Sequence, residues 1–408
     1  MNNSTLTRPA VPAALQGALV AGFYVFMCAW FIAPSRSAHH TIVYLAFLFP
    51  CLLHLLYTLW CRSDSLRGLV SPVFLSLAIF LAYMVISTLW SDIAEEPGHY
   101  LKRMVQTLLF VYGVYAVCRF SPAHLEKAIL CCVVLCVIWL AVNELYFGET
   151  AYLSDRFRGA NAGLHYLLTG ALLGAILVLG THVMLQRLSY KGVDMPGIVL
   201  ACLLAGVFYG VLLTESRSAL LALVVTAGYW FFDTPNIRNF KIIAVIGAVG
   251  AAIMLAPYAE LFISRGFSQR FEIWHATLQW ILEEPWFGHG FGAEYILHVS
   301  SGEELYDAHN IHLEVLFEGG LVGGFLWLTF LSTLASCGWR ARNTAMGKCL
   351  LALLIYSVSV KFFESRGILS RPTEFWHLLW LCAGIAMACD GFASKRSGEP
   401  TLETTSTR

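Results

Sequence analysis

Charge is scarce in this chain. Only 13% of its 408 residues are Asp, Glu, Lys or Arg, where an ordinary soluble domain carries about a quarter. The 26 basic and 26 acidic residues cancel, which removes the broad positive field expected of a nucleic-acid binder. No pair among the twelve cysteines has the spacing of a disulfide framework or a metal site. The N-terminal region also lacks a short apolar core followed by a small-residue cleavage site, so its first apolar run is expected to stay as an anchor.

What is abundant is hydrocarbon. Hydrophobic residues make up 58% of the chain and the mean hydropathy is +0.67. Apolar runs, most near the 20 or so residues that a helix needs to cross a bilayer, recur at 11–33, 41–60, 69–90, 103–118, 124–147, 163–187, 196–213, 217–232, 240–256, 313–337, 345–364 and 371–389. The expectation is an all-α polytopic membrane protein of about twelve transmembrane helices, with residues 1–390 as one helical domain. The polar Ser- and Thr-rich stretch 391–408 is expected to be a disordered cytoplasmic tail. Lys and Arg of the short loops, among them Arg62, Arg119, Lys127, Arg187, Arg340 and Lys348, fall on one side of this arrangement, and Asp92, Glu95 and Glu96 on the other. The positive-inside rule then puts both termini in the cytoplasm. One loop is long: residues 257–312 lie on the outer side, and Phe271, Trp274, Leu278, Ile281 and Leu282 recur there at helical spacing. This loop is therefore read as folded, with a helix that Pro285 stops and a turn made by Gly288, Gly290 and Gly292.

The candidate chemistry gathers on that outer side. Arg217 sits at a hairpin tip between two apolar runs. A lone arginine there would be read as snorkelling to headgroups. Arg156, Arg158, Arg265 and Arg270 share its side, against the usual bias of basic residues, so the cluster calls for an anion. The guanidinium fork suits phosphate oxygens. Asp307-Ala-His-Asn310 leads into an apolar helix, and His309 is a candidate proton acceptor near neutral pH, with His312 three residues on as its competitor. Glu318-Gly-Gly320 reads as close helix packing. One His, one Asn and several arginines do not make a site for a hard cation, so no metal is expected.

Ser216-Arg-Ser-Ala-Leu220, Arg270-Phe-Glu-Ile-Trp274, Glu284-Pro-Trp-Phe-Gly-His-Gly-Phe-Gly292, His309-Asn-Ile-His-Leu313 and Glu318-Gly-Gly-Leu-Val-Gly323 together resemble the O-antigen ligase and polymerase superfamily. The resemblance is dense in the second half of the chain; in the first half it is only a string of spans. It implies a GT-C-like glycosyltransferase in a bacterial inner membrane, with loop 257–312 and the active site facing the periplasm. The implied donor is glycan on undecaprenyl diphosphate, and the acceptor of a ligase is a sugar hydroxyl of lipid A-core. No metal, nucleotide or other cofactor is implied, and membrane lipid is a further partner. Carried over by position, Arg217 and Arg270 match the family's essential arginines, and His309 matches the histidine of its His-Asn motif. Arg156, Arg158, Arg265, Asn310 and His312 are then expected around the substrate. A polymerase of the same superfamily and an anion transporter are the alternatives. The compact chain with its single large outer loop favours a ligase, and charges gathered at the boundary rather than at mid-membrane disfavour a transporter.

Overall fold

A computed structural model describes residues 11–61, 64–91, 96–153, 155–160, 165–192, 194–233, 268–294, 296–298, 304–305, 307–365 and 367–396. The chain is a helical bundle. Its helices are α1 Ala13–Ile32, α2 Arg36–Trp60, α3 Pro72–Ser87, α4 Pro97–Phe120, α5 Pro122–Val142, α6 Tyr166–Lys191 and α7 Met195–Leu213. Then come α8 Arg217–Asp233, α9 Ser268–Glu283, α10 Ile311–Arg340, α11 Ala345–Lys361 and α12 Leu381–Arg396. Among the described residues eight helices, α1 to α7 (with α3 counted to Trp90 and α5 to Ala151) and α10, are long and apolar enough to cross a membrane, as a polytopic membrane protein requires. α8 and α11, at 17 residues each, are shorter.

The expected run 103–118 is the middle of a longer helix, α4. The run 240–256 lies outside the described residues. α12 continues to Arg396, past the tail boundary expected at 390, and residues 397–408 lie outside the description.

Local chemistry sets the helix starts. Ser71, Ser121 and Asp194 accept the first free N–H groups of α3, α5 and α7, and each of these helices has a proline in its first turn, where a missing N–H costs nothing. Packing then sorts the bundle into neighbours: α6 with α7, α10 with α3, α11 with α8, α12 with α4 and α1 with α5. Trp30, Trp327, Trp376 and Trp380 are fully enclosed between them.

The expected loop helix is present as α9, and it ends before Pro285. Its Ile273 and Ile281 pack with Phe317 of α10. Gly288, Gly290 and Gly292 all take positive φ, at 67°, 91° and 81°, so the expected turn is also present. The turn reaches beyond its own loop, because α10 is broken opposite it at Gly320, where φ is 61° and ψ is −162°. The backbone groups freed by the break are met by the loop: Leu321 N–H donates to Pro285 O at 2.8 Å and Val322 N–H to Trp286 O at 3.2 Å, while Phe317 O and Glu318 O each accept, from His289 and Gly290, at 2.9 Å. Gly319 O takes the Tyr83 hydroxyl at 2.7 Å. Non-helical backbone inside an apolar bundle is tolerated only with its polar groups satisfied in this way.

Both glycines at the crossing are required by space. A Cβ on Gly288 would stand 2.5 Å from Gly320 N, and one on Gly320 would stand 2.4 Å from Trp286 C. Gly288→Ala and Gly320→Ala should each destabilise by more than the ~1–3 kcal/mol of a strained left-handed residue. Gly228→Ala in α8, where a Cβ meets nothing within 4 Å, should not. Thermal unfolding in detergent separates the two cases, and equal melting of all three variants would contradict the interlock.

Candidate active site

The candidate residues singled out in the sequence come from four separate segments, and the fold gathers most of them at one end of the bundle. The first segment is a hairpin. Tyr152–Leu153 and Arg156–Phe157 pair antiparallel as β1 and β2, and Asn143 holds the return, accepting Ala160 N–H at 2.8 Å. Arg158 N–H and Gly159 N–H both reach Ala151 O, and the Arg158 carbonyl takes the Thr169 hydroxyl of α6 at 2.9 Å. Arg158 Nε is buried with no acceptor among the described residues.

The hairpin presents Arg156 to two neighbours. Its guanidinium lies 4.7 Å from the Tyr166 ring centre, and its Nε is 3.3 Å from Glu215 Oε2. Glu215 belongs to the α7–α8 tip, and its φ of 49° turns the chain. Ser216 and Thr214 are fully buried there. A Cβ on Gly170 would meet the Ser216 side chain at 2.5 Å, so α6 presses directly on the tip. Arg217, the first residue of α8, is thereby fixed beside Arg156's partner.

Arg270 comes from α9. Its Nη1 donates to Phe363 O at 3.2 Å and its guanidinium lies 5.0 Å from the Phe363 ring centre. Burial lowers its pKa; Glu364 opposes this, and the nearby charge of Arg217 lowers it further. The two arginines expected to act together are thus close enough to repel each other. A site that holds two guanidinium groups at such range is complementary to a multiply charged anion.

The Asp307–Asn310 turn supplies the remaining edge. Asn310 caps α10, its Oδ1 accepting from His312 at 2.9 Å and Leu313 at 3.3 Å. His309 takes φ 45°, and its Nδ1 lies 2.8 Å from Asp307 Oδ1. Burial alone would raise the Asp307 pKa, but the hydrogen bonds and charge of His309, with the Ser365 hydroxyl, hold it down to about 2. The competing imidazole points elsewhere: His312 Nδ1 accepts the Trp327 indole N–H at 3.0 Å, and its ring lies 4.9 Å from that of Phe362. Arg265 lies outside the described residues.

Three features were not legible as site residues. His165, which precedes α6, feels the charges of both Arg156 and His309, which with burial lower its pKa. Glu215 is the ion-pair partner of Arg156. The third is a buried trio: Lys361 Nζ lies 3.0 Å from both Glu364 Oε2 and Glu374 Oε1, with no exposed surface on the lysine. These charges stand at the end of an apolar run, where sequence suggests solvation by headgroups. The segment they anchor carries Phe363 O and Ser365 to Arg270 and Asp307.

Among the described residues no three His, Cys, Asp or Glu side chains are grouped as metal ligands would be. A cavity of about 220 Å³ between Arg103, Glu314, Glu318 and Ser365 adjoins the turn. A larger one of about 530 Å³, lined by Glu126, His182, Arg187 and Met346, shares no residue with the cluster.

The O-antigen ligase family profile matches residues 200–328, the stretch that holds Arg217, Arg270 and His309. An O-antigen ligase of Pseudomonas aeruginosa is 29% identical over 383 residues, covering 93% of this chain and 92% of its own length. The resemblance read from the motifs is borne out by both.

The buried trio carries its own prediction. Lys361→Met removes the cation that lies between two buried carboxylates and should lower stability by about 3–5 kcal/mol, whereas adding Glu364→Gln and Glu374→Gln should recover much of it. Unfolding in detergent is the measurement; a silent Lys361→Met would contradict the ion trio.

Proposed function

We propose that this chain, similar to O-antigen ligases over almost its whole length, transfers glycan from undecaprenyl diphosphate to a sugar hydroxyl of lipid A-core. The observation that carries the proposal is the convergence of Arg156, Arg217 and Arg270 on one end of the bundle with the Asp307–His309 pair. In this reading the bundle is a GT-C-like fold of about twelve spans in a bacterial inner membrane, and the end bearing the cluster faces the periplasm. Lys and Arg of the short loops that alternate to the other side of the spans support the orientation.

The reaction is direct displacement at the anomeric carbon. Negative charge grows on the departing diphosphate, and Arg217 and Arg270 meet it, assisted by Arg156 and by Arg158, whose Nε has no acceptor among the described residues. Preorganised charge in a dry site needs little reorganisation as the transition state forms. Fixed guanidinium groups supply the countercharge, so the step runs without a metal. His309 takes the acceptor's proton, and attack by that hydroxyl from the face opposite the diphosphate inverts the anomeric centre. A transporter reading finds less support. The break in α10 is filled by the backbone of residues 285–290, whereas transporter breaks line a site at mid-membrane.

A point charge cannot reproduce a planar fork. Arg217→Lys and Arg270→Lys should each cut transfer by roughly 10²-fold or more with normal protein level in the membrane, as read from glycan-modified lipid A-core on gels. Near-normal transfer by both would remove the diphosphate clamp.

The two histidines should separate cleanly. His309→Ala should lose about 10²–10⁴-fold in rate yet still bind lipid-linked donor. His312→Ala, whose ring is engaged by Trp327 and Phe362, should be milder and act through stability. The reverse ranking would move the base to His312.

A further inference from the structure

The turn before α10 is unusually committed. Asp307 Oδ1 accepts the backbone N–H of His309 at 2.9 Å, the bond of an Asx turn. Ala308 N–H is held by Glu314 Oε2 at 3.1 Å, and Asn310 Oδ1 is spent on capping α10. The left-handed backbone of His309, φ 45°, folds its ring back so that Nδ1 reaches the same Asp307 oxygen at 2.8 Å. The Asp307 side chain is only 14% exposed, while that of His309 keeps 40%. Backbone strain at a non-glycine residue persists only where the surroundings over-determine it, and here its product is an imidazole held by one nitrogen and open at the other edge.

We propose that Asp307 is the positioning residue of the transfer step: its carboxylate fixes the Nδ1–H tautomer of His309, which makes Nε2 the nitrogen that accepts the proton of the acceptor hydroxyl. An ionised carboxylate only accepts, so the nitrogen facing it must carry the hydrogen, and the other ring nitrogen keeps its lone pair. Asp307 stays ionised through the working range because burial, which would raise its pKa, is outweighed by His309 and Ser365. The other titratable group whose charge reaches the ring is His165, at the start of α6, which in turn feels the charge of Arg156. The Asp307 carboxylate, 2.8 Å from Nδ1, is the negative group that faces the ring when the proton arrives.

This inference rests on the proposed transfer reaction. In the step, the acceptor O–H proton passes to Nε2 as the oxygen bonds to the anomeric carbon. The bond from that carbon to the phosphate oxygen breaks, and its electron pair leaves with the diphosphate. The imidazolium then returns its proton to water.

Asp307→Asn is the test, because the amide oxygen can keep the Asx turn while the charge is lost. With full-length enzyme, undecaprenyl-diphosphate-linked glycan and lipid A-core, kcat should fall between about 10- and 10³-fold, a part of what a positioned base supplies. Donor KM and Tm should hold. The acid limb of the pH–rate profile should move to lower pH, since a neutral amide no longer favours the protonated ring. Nitrogen NMR of histidine-labelled wild-type enzyme should find the His309 hydrogen on Nδ1, a readout independent of turnover. Wild-type kcat in the variant, a loss with an unmoved pH profile, or the hydrogen on Nε2 would each overturn the proposal. A wild-type enzyme that transfers nothing would overturn the parent reading instead, and would take the catalytic role of Asp307 with it while leaving the tautomer measurable.

Discussion

The site depends on a broken helix. α10 would run unbroken from Ile311 if Gly320 were helical; instead the backbone groups on either side of Gly320 pair with residues 285–290. Two donors and two acceptors cross the gap, and each would cost free energy if left unpaired in an apolar bundle. The exchange locks the loop after α9 against the helix that Asn310 caps. It therefore sets where Arg270, near the start of α9, stands relative to His309, just before α10. Glu318 adds a side-chain tie, accepting Gly292 N–H at 3.0 Å. The two glycine-rich motifs, far apart in sequence, are one structural device.

Strain is concentrated at the same end. Among the described residues the non-glycine positions with positive φ are Asp155, Glu215 and His309. Asp155 precedes Arg156, Glu215 stands two residues before Arg217 and pairs with Arg156, and His309 is the proposed base. Left-handed backbone at ordinary residues costs of order 1–3 kcal/mol each and tends to persist at functional sites. The neighbours that hold these positions are Tyr166 beneath Arg156, Gly170 beneath Ser216, and Asp307 with Glu314 around the turn.

Much of this was legible in the sequence because its physics is local. Apolar runs of membrane length announced the helices, Pro285 and three glycines announced the end of α9 and the turn, and basic residues expected on the disfavoured side pointed to a cluster. The break at Gly320 was not legible, since the Glu-Gly-Gly pattern fits close packing as well as a backbone exchange, and the partner of the exchange lies some thirty residues upstream. Lys361, Glu364 and Glu374 were hidden for a different reason. A charged residue at the end of an apolar run is normally solvated by headgroups, and only the packing of α11 against the segment before α12 encloses them. His165 and Glu215 carry no spacing signal, and they join the site through tertiary contact alone.

If the cluster at this end of the bundle joins finished glycan to the lipid core, deleting the gene should strand that glycan on its carrier. Analysis of the glycan left on undecaprenyl diphosphate in the deletion strain should find full-length polymer, beside unmodified lipid A-core, with rescue by the wild-type gene but not by His309→Ala. Single repeat units on the carrier would point to polymerisation, and an unchanged surface glycan would contradict the ligase reading altogether.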